Sequence, residues 1–244
     1  RDPRLRDIRV RRAIAYAIDR DAIATSFLRD TARVASGMLA PENWAYNGNV
    51  TKYPYDPAQA RRLLDQAGYP ADANGVRPLK LVFKASQEGA RLGEVIQAML
   101  KRVGIQLDVR VNEFATFYSD IQHGNFDLTS MNWVGINDPN HYYMVFDSRM
   151  VPPQGYNRGA YSNPEMDGLV EAGTATLDAP ERRRIYAKVQ GLAADDLPYV
   201  SLWWHDTVAV VSRDLNGFKP YPNGSLRSLA AVTFASPDSS EPSP

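Results

Sequence analysis

The chain has 244 residues, 44% apolar and 23% charged, with 28 Lys plus Arg set against 28 Asp plus Glu and a formal net charge of zero. That is the composition of an ordinary globular protein with enough sequence for one large domain, and its charge balance argues against broad electrostatic capture of nucleic acid or anionic membrane. With no cysteine in the chain, disulfides, thiolate metal sites and a cysteine nucleophile are excluded. No apolar run approaches the ~20 residues needed to span a bilayer. The chain opens on Arg1, without an initiator Met or signal-peptide core, so further sequence upstream is expected.

The first twenty residues hold seven arginines against three aspartates, which on a helix reads as a solvated face. Val10, Ile14, Ala17 and Ile18 fall at helical spacing, and Asp19 or Asp21 can cap a following helix that carries Ile23 and Phe27. Residues 36–55 are irregular and rich in Gly, Pro, Asn and aromatics. The clearest local signal is DPAQARRLLDQAG. Asp56 caps, Pro57 presets the first helical φ, Gly68 supplies a left-handed stop, and Ala60, Leu63, Leu64 and Ala67 form the inward stripe.

Leu79–Lys84 has β character. A helix follows with Leu92, Val95, Ile96, Met99, Leu100 and Val103 on one face and Gly104 at its end. Ile105, Leu107, Val109 and Val111 then alternate with polar residues at period two, so the segment reads as a right-handed βαβ unit. A short helix over Phe117–His123 leads into a strand over Phe126–Trp133. The stretch Val134–Tyr161 is long and aromatic, which marks a functional loop. Two Pro-initiated helices begin near Pro164 and Pro180, capped by Asn163 or Ser162 and by Asp178. Strands are expected over Tyr199–Trp204 and Thr207–Ser212, and a disordered tail beyond 236. The sum is an α/β domain with a mixed sheet.

No motif announces catalysis. His123, His141 and His205 have no metal-ligand spacing, and there is no nucleophile elbow, phosphate loop or dinucleotide fingerprint. No metal and no cofactor is expected. Asn49-Val50-Thr51 and Asn223-Gly224-Ser225 match the glycosylation pattern, a match that chance often supplies. What stands out is a set of aromatics with small polar neighbours: Asn43, Trp44 and Tyr46, then Asn132, Trp133, Asn137, Asp138, Tyr142 and Tyr143. Rigid rings beside directional amides and carboxylates suit a small-ligand cleft. Trp44 is expected to be a core anchor. Trp133 reads equally well as a core anchor or as a ligand contact at a strand end, where ligands of α/β folds gather.

These residues also stand in a familiar order. Ile8–Ile23 (IRVRRAIAYAIDRDAI), Tyr53–Tyr69 (YPYDPAQARRLLDQAGY), Phe126–Pro139 (FDLTSMNWVGINDP) and Tyr161–Gly173 (YSNPEMDGLVEAG) resemble successive motifs of the family 5 extracellular solute-binding proteins. Arg182–Tyr186, Leu197–Pro198 and Leu202–Trp204 complete the series. The resemblance implies a periplasmic-binding-protein-like fold of type II, cluster C. Residues 1–205 would be the second lobe, 206–235 a segment returning to the first lobe, and 236–244 a tail. It implies a solute-binding component of an ABC importer, without catalysis, that captures a peptide-like or other small solute and delivers it to a membrane permease. The protein would be periplasmic or otherwise extracytoplasmic, a setting compatible with a lipid anchor on the full-length protein, and its N-terminal lobe would be a missing partner. Trp133, Asn137 and Asp138 lead the expected ligand contacts, with Asn132, Ile136, Tyr142 and Tyr143 beside them. In dipeptide binders of the family an aspartate directly follows the glycine of this loop. Here Gly135 is followed by Ile136, which suits a more apolar or uncharged solute, with Asp138 as the candidate substitute for the missing acid. The rival reading is a hydrolase of peptides or sugars using some of Glu113, Asp127 and Asp138 as a carboxylate pair.

Overall fold

The computed structural model describes residues 2–221 and 224–235; Asn223 of the second glycosylation pattern and the expected tail from 236 lie outside them. Helix α1 (Pro3–Arg6) and helix α2 (Ile8–Ala17) begin on aspartates, Asp2 and Asp7, whose side chains accept from Arg4 and Arg9 backbone N–H groups. Asp19, not Asp21, caps the next turn, α3 (Arg20–Ala22), which runs on as a π-helical turn over Ile23–Phe27. Strand β1 (Ala32–Val34) follows, and after the irregular 35–55 segment comes α4 (Pro57–Gln66). The expected cap is there: the Asp56 carboxylate accepts from Gln59 N–H at 2.8 Å, and Gly68 adopts φ +87° just past the helix.

The βαβ unit is β2 (Lys80–Ser86), α5 (Ala90–Lys101) and β3 (Gln106–Asn112), with the two strands parallel and Leu81 opposite Leu107. Gly104 sits between helix and strand at φ +89°, with Gly75 O only 2.5 Å from where a Cβ would lie, so no other residue fits. Helix α6 (Phe114–His123) leads back to β4 (Leu128–Thr129), which joins β2 on its other side, giving a three-stranded parallel sheet in the order β3-β2-β4. Phe126–Trp133 is therefore strand over only two residues. Asp127 fixes that short pairing by accepting from Val82 N–H at 2.8 Å. One face of the sheet, with Leu81, Phe83, Ala85 and Leu107, packs with α2, α4 and α5 into the first core. On the other face Lys84 reaches Asp120 of α6 at 2.7 Å.

A second core lies in the C-terminal half. Helices α7 (His141–Phe146), α8 (Pro164–Ala175) and α9 (Ala179–Asp196) enclose Tyr142, Val145, Phe146, Met166, Val170, Tyr186 and Val189, with Leu39 and Ala45 from the 36–55 segment. Asn163 and Asp178 cap α8 and α9 as the sequence suggests. Tyr53 ties the two halves: its ring meets Tyr16 edge-on and its hydroxyl donates to Ala194 O at 3.0 Å.

Antiparallel pairing occurs in two separate ribbons rather than in the parallel sheet. Strand β1 pairs with β5 (Trp203–His205), and β6 (Leu215–Asn216) with β7 (Thr233–Phe234). The strand expected over Tyr199–Trp204 is thus confined to its end. The one expected over Thr207–Ser212 is absent: the segment is irregular, with Val208, Val210 and Val211 all exposed. Its β-branched residues have propensity for a strand but no neighbour to pair with. Trp44 also departs from expectation, being 40% exposed beneath the Arg182 guanidinium instead of buried in the core.

Candidate functional site

Because β2, β3 and β4 run parallel, the loops that follow them leave the sheet at one edge, where ligands of open α/β sheets bind. At the end of β2 stands Ser86-Gln87-Glu88, after β3 comes Glu113-Phe114, and after β4 comes the 130–140 loop. The first two line a concavity of ≈ 190 Å³. Phe114 is 58% exposed and stacks on Tyr118, and Val134 is 80% exposed. Apolar and aromatic surface is thus open at this edge, the mark of a surface that meets something.

Within the third loop, Asn132, Asn137 and Asp138 are exposed, while Trp133 and Ile136 are half-buried. Trp133 belongs in part to both of its alternatives. It packs on the second core, and its ring meets the His141 imidazole edge-on at 4.6 Å and Tyr156 at 5.4 Å. The Arg158 guanidinium sits 5.1 Å from its centroid. Burial lowers the His141 pKa, which favours the neutral ring among these aromatics.

The loop is pinned from behind. Asp138 accepts from Asn140 N–H at 2.8 Å and from both Nη groups of Arg182, and the Arg182 contact holds its carboxyl below the usual carboxylate range. Asn43 Nδ2 donates to Asn137 O at 3.2 Å. Asn140 Oδ1 accepts from Thr174.

Two of the expected contacts stand apart from the rest of the loop. Tyr142 is 1% exposed, packed against Phe146 and Tyr186 on the inward side of α7, so it is a core residue, and what surface it keeps lines a cavity apart from the loop edge. Tyr143, one position on, is half-buried. Asp138 already has a bidentate cationic partner, so it is not a free acid waiting for a ligand ammonium. The carboxylates of the hydrolase reading are likewise occupied. Asp127 holds Val82 N–H and pairs with Arg4 at 3.1 Å, and Glu113 caps α6 by accepting from Ala115 N–H.

Sequence reasoning passed over Ser86–Glu88, Phe114 and Arg158. The strand-end argument that singled out Trp133 applies equally to Ser86–Glu88 and to Phe114. Arg158 carried no local signal, since its neighbours in the chain are Gly, Asn and Tyr. A larger cavity, ≈ 300 Å³, lies apart from this edge, between the β1–β5 ribbon and the end of α9, with Arg20, Tyr46, Gln190, Tyr199 and Trp204 among its walls.

The architecture is thus a three-stranded parallel sheet with a loop-built edge, joined to a helical half. The sequence profile described as bacterial extracellular solute-binding proteins, family 5 Middle, matches residues 1–149. The chain belongs to that family, whose members bind and hand over solutes rather than transform them. It is 30% identical over 224 residues to a probable di/tripeptide-binding protein 5 of Pseudomonas aeruginosa, covering 91% of this chain and 42% of the relative. With the dipeptide-binding protein of Escherichia coli K12 the identity is 26%, over 90% and 42% of the two chains. Among solved structures, the oligopeptide-binding protein AppA of Bacillus subtilis in complex with a nonapeptide superposes with a TM-score of 0.83 at 23% identity, over 96% of this chain and 49% of that one. NikA of Brucella suis in complex with Fe(III)-EDTA gives 0.70 at 27% identity, over 81% and 42%. The chain thus spans less than half the length of the curated relatives it matches.

Proposed function

We propose that this chain is the ligand-facing lobe of an ABC-importer receptor that captures a peptide-like or other small solute in an interlobe cleft and delivers it to a membrane permease outside the cytoplasm. Residues 1–205 are the second lobe in this reading, and 206–235 return to a first lobe that supplies the opposite wall. The observation that carries the proposal is the shared edge of β2, β3 and β4, where Phe114, Val134 and half-buried Trp133 stand beside exposed Gln87, Glu88, Asn132 and Asn137. The exposed valines of 207–212 and Phe234, 76% exposed, support a segment that packs on another body. Solute contacts fall to Trp133, Asn132, Ile136, Asn137 and Tyr143. Asp138 shapes the loop through Arg182, and Tyr142 supports it from the core. Transport follows from closure of two lobes round the solute, the closed form being the one the permease reads.

The test is to purify the intact receptor from its host without refolding, release what it holds by denaturation, and identify it by mass spectrometry. A single solute class retained in stoichiometric amount is expected. An empty protein whose melting temperature responds to no member of a peptide, sugar and metal-chelate panel overturns the proposal.

A further inference from the structure

Arg158 is 7% exposed, yet among the described residues no carboxylate pairs with it. Its guanidinium is sleeved by rings, 5.7 Å from the Tyr118 centroid, 5.1 Å from Trp133 and 5.5 Å from Tyr156. A ring offers its π face to the positive charge, but gives the in-plane N–H groups no acceptor. One nitrogen, Nη1, points to the Met131 sulfur at 3.2 Å, a weak acceptor. Buried Nε has no hydrogen-bond partner, and no protein acceptor meets Nη2 among the described residues.

Other interior arginines of this chain are treated differently. Arg77, 3% exposed, gives Nε to Val103 O and Nη1 to Asp65, and Arg20 donates to the carbonyls of Ala35, Ser201 and Tyr53. Those side chains staple segments together. Arg158 staples nothing, and it stands where the loops after β3 and β4 converge. His141, which shares the Trp133 and Tyr156 rings with it, also has a buried Nε2 without a partner.

We propose that Arg158 is an oxyanion subsite of the solute site, its free Nε–Nη2 fork taking a carboxylate of the captured solute. The inference deepens the receptor reading and rests on it. A guanidinium fork matches a planar carboxylate with two parallel charge-assisted hydrogen bonds, the arrangement that Nε and Nη2 leave open here. Nε is itself shut off from solvent, so entry asks the side chains sleeving it to give way. Together with Ile136 in the neighbouring loop, the subsite selects a solute that brings an anionic group, with no acid provided at position 136 for an ammonium group.

The probe is acetate, with acetamide as its neutral isostere, titrated at constant ionic strength into the intact chain. The side-chain Nε–H resonance of Arg158 is followed by NMR. Acetate should shift it saturably and acetamide should not, and Arg158→Lys, which keeps the charge but loses the fork, should weaken acetate by about tenfold or more. No response to acetate, an equal response to acetamide, or unchanged affinity in the lysine variant overturns the subsite. If the variant fails to melt cooperatively, the acetate–acetamide comparison on the unaltered protein decides alone. Acetate binding in a protein that retains no solute leaves the subsite standing and removes the receptor, while a retained solute without acetate binding does the reverse.

Discussion

Asp138 and Arg182 meet in a two-pronged ion pair, Nη2 to Oδ1 at 2.6 Å and Nη1 to Oδ2 at 2.9 Å. The partners are 44 residues apart in sequence, and the pair fastens the loop after β4 to helix α9. Arg182 is held in turn by Gly173 O and by the rings of Trp44 and Tyr186. The shape of the proposed solute wall is therefore set by a contact with the helical core.

That pair predicts a pH response. Since Arg182 depresses the Asp138 pKa, the contribution of the pair is fully present above the ordinary carboxylate value and is lost as pH falls through the lowered one. Asp138 is about half exposed, so the stabilisation is only about 0–1 kcal/mol. The expected effect is local. Amide exchange over 132–140 should rise in acid before the rest of the protein loosens, and Asp138→Asn should raise it already at neutral pH. Unchanged loop protection in that variant contradicts the role given to the pair.

Tyr142 separates core from wall. Its ring is buried against Phe146 and Tyr186, so Tyr142→Ala should destabilise the fold by about 3–5 kcal/mol, the range for deleting a buried aromatic. Chemical denaturation reads the loss. Solute affinity measured on the folded fraction should stay within about twofold.

Trp133→Ala should show the opposite weighting. The ring is half-buried, with His141 and Tyr156 against it and the open edge beside it. Solute affinity should fall by about 1–3 kcal/mol, as for one well-placed aromatic contact, with a smaller loss of stability than in the Tyr142 variant. Calorimetric titration paired with a thermal melt checks both. Unchanged affinity with a collapsed melt makes Trp133 a core anchor instead.

How far the sequence carried follows the range of the interactions. Caps at Asp56, Asn163 and Asp178, the stop at Gly68 and the strand after Gly104 are encoded within a few residues of where they act, and each forms, although Val111 at the far end of that strand is exposed. Strand extent depends on a partner: 207–212 has β-branched residues but, among the described residues, nothing to pair with, and β4 pairs with β2 only through Leu128 and Thr129. Site geometry was least legible. Whether Trp44, Tyr142 and Asp138 face solvent is decided by Arg182 and by the packing of α7 on α8 and α9, contacts that local spacing does not contain.

The most specific outcome concerns Ile136. It follows the left-handed Gly135, φ +73°, and is half-buried against the second core, so its side chain stands at the inner margin of the loop. In dipeptide binders that this loop resembles, an acid directly after the glycine pairs with the ligand's amino terminus. Isoleucine can offer only apolar contact, and Asp138 is engaged by Arg182. Installing the acid should therefore change selectivity more than fold. Ile136→Asp in the intact receptor should favour a free-amino dipeptide such as Ala-Ala over its N-acetyl form by about tenfold or more, the effect of one charge-assisted pair. The unaltered receptor should show little preference between them. The stability cost stays modest because the position is only partly buried, and a melt alongside the titration reads it. Equal preference in both proteins, with the variant still folded, means that position 136 does not face the solute and that the wall lies nearer Ser86–Glu88 and Phe114.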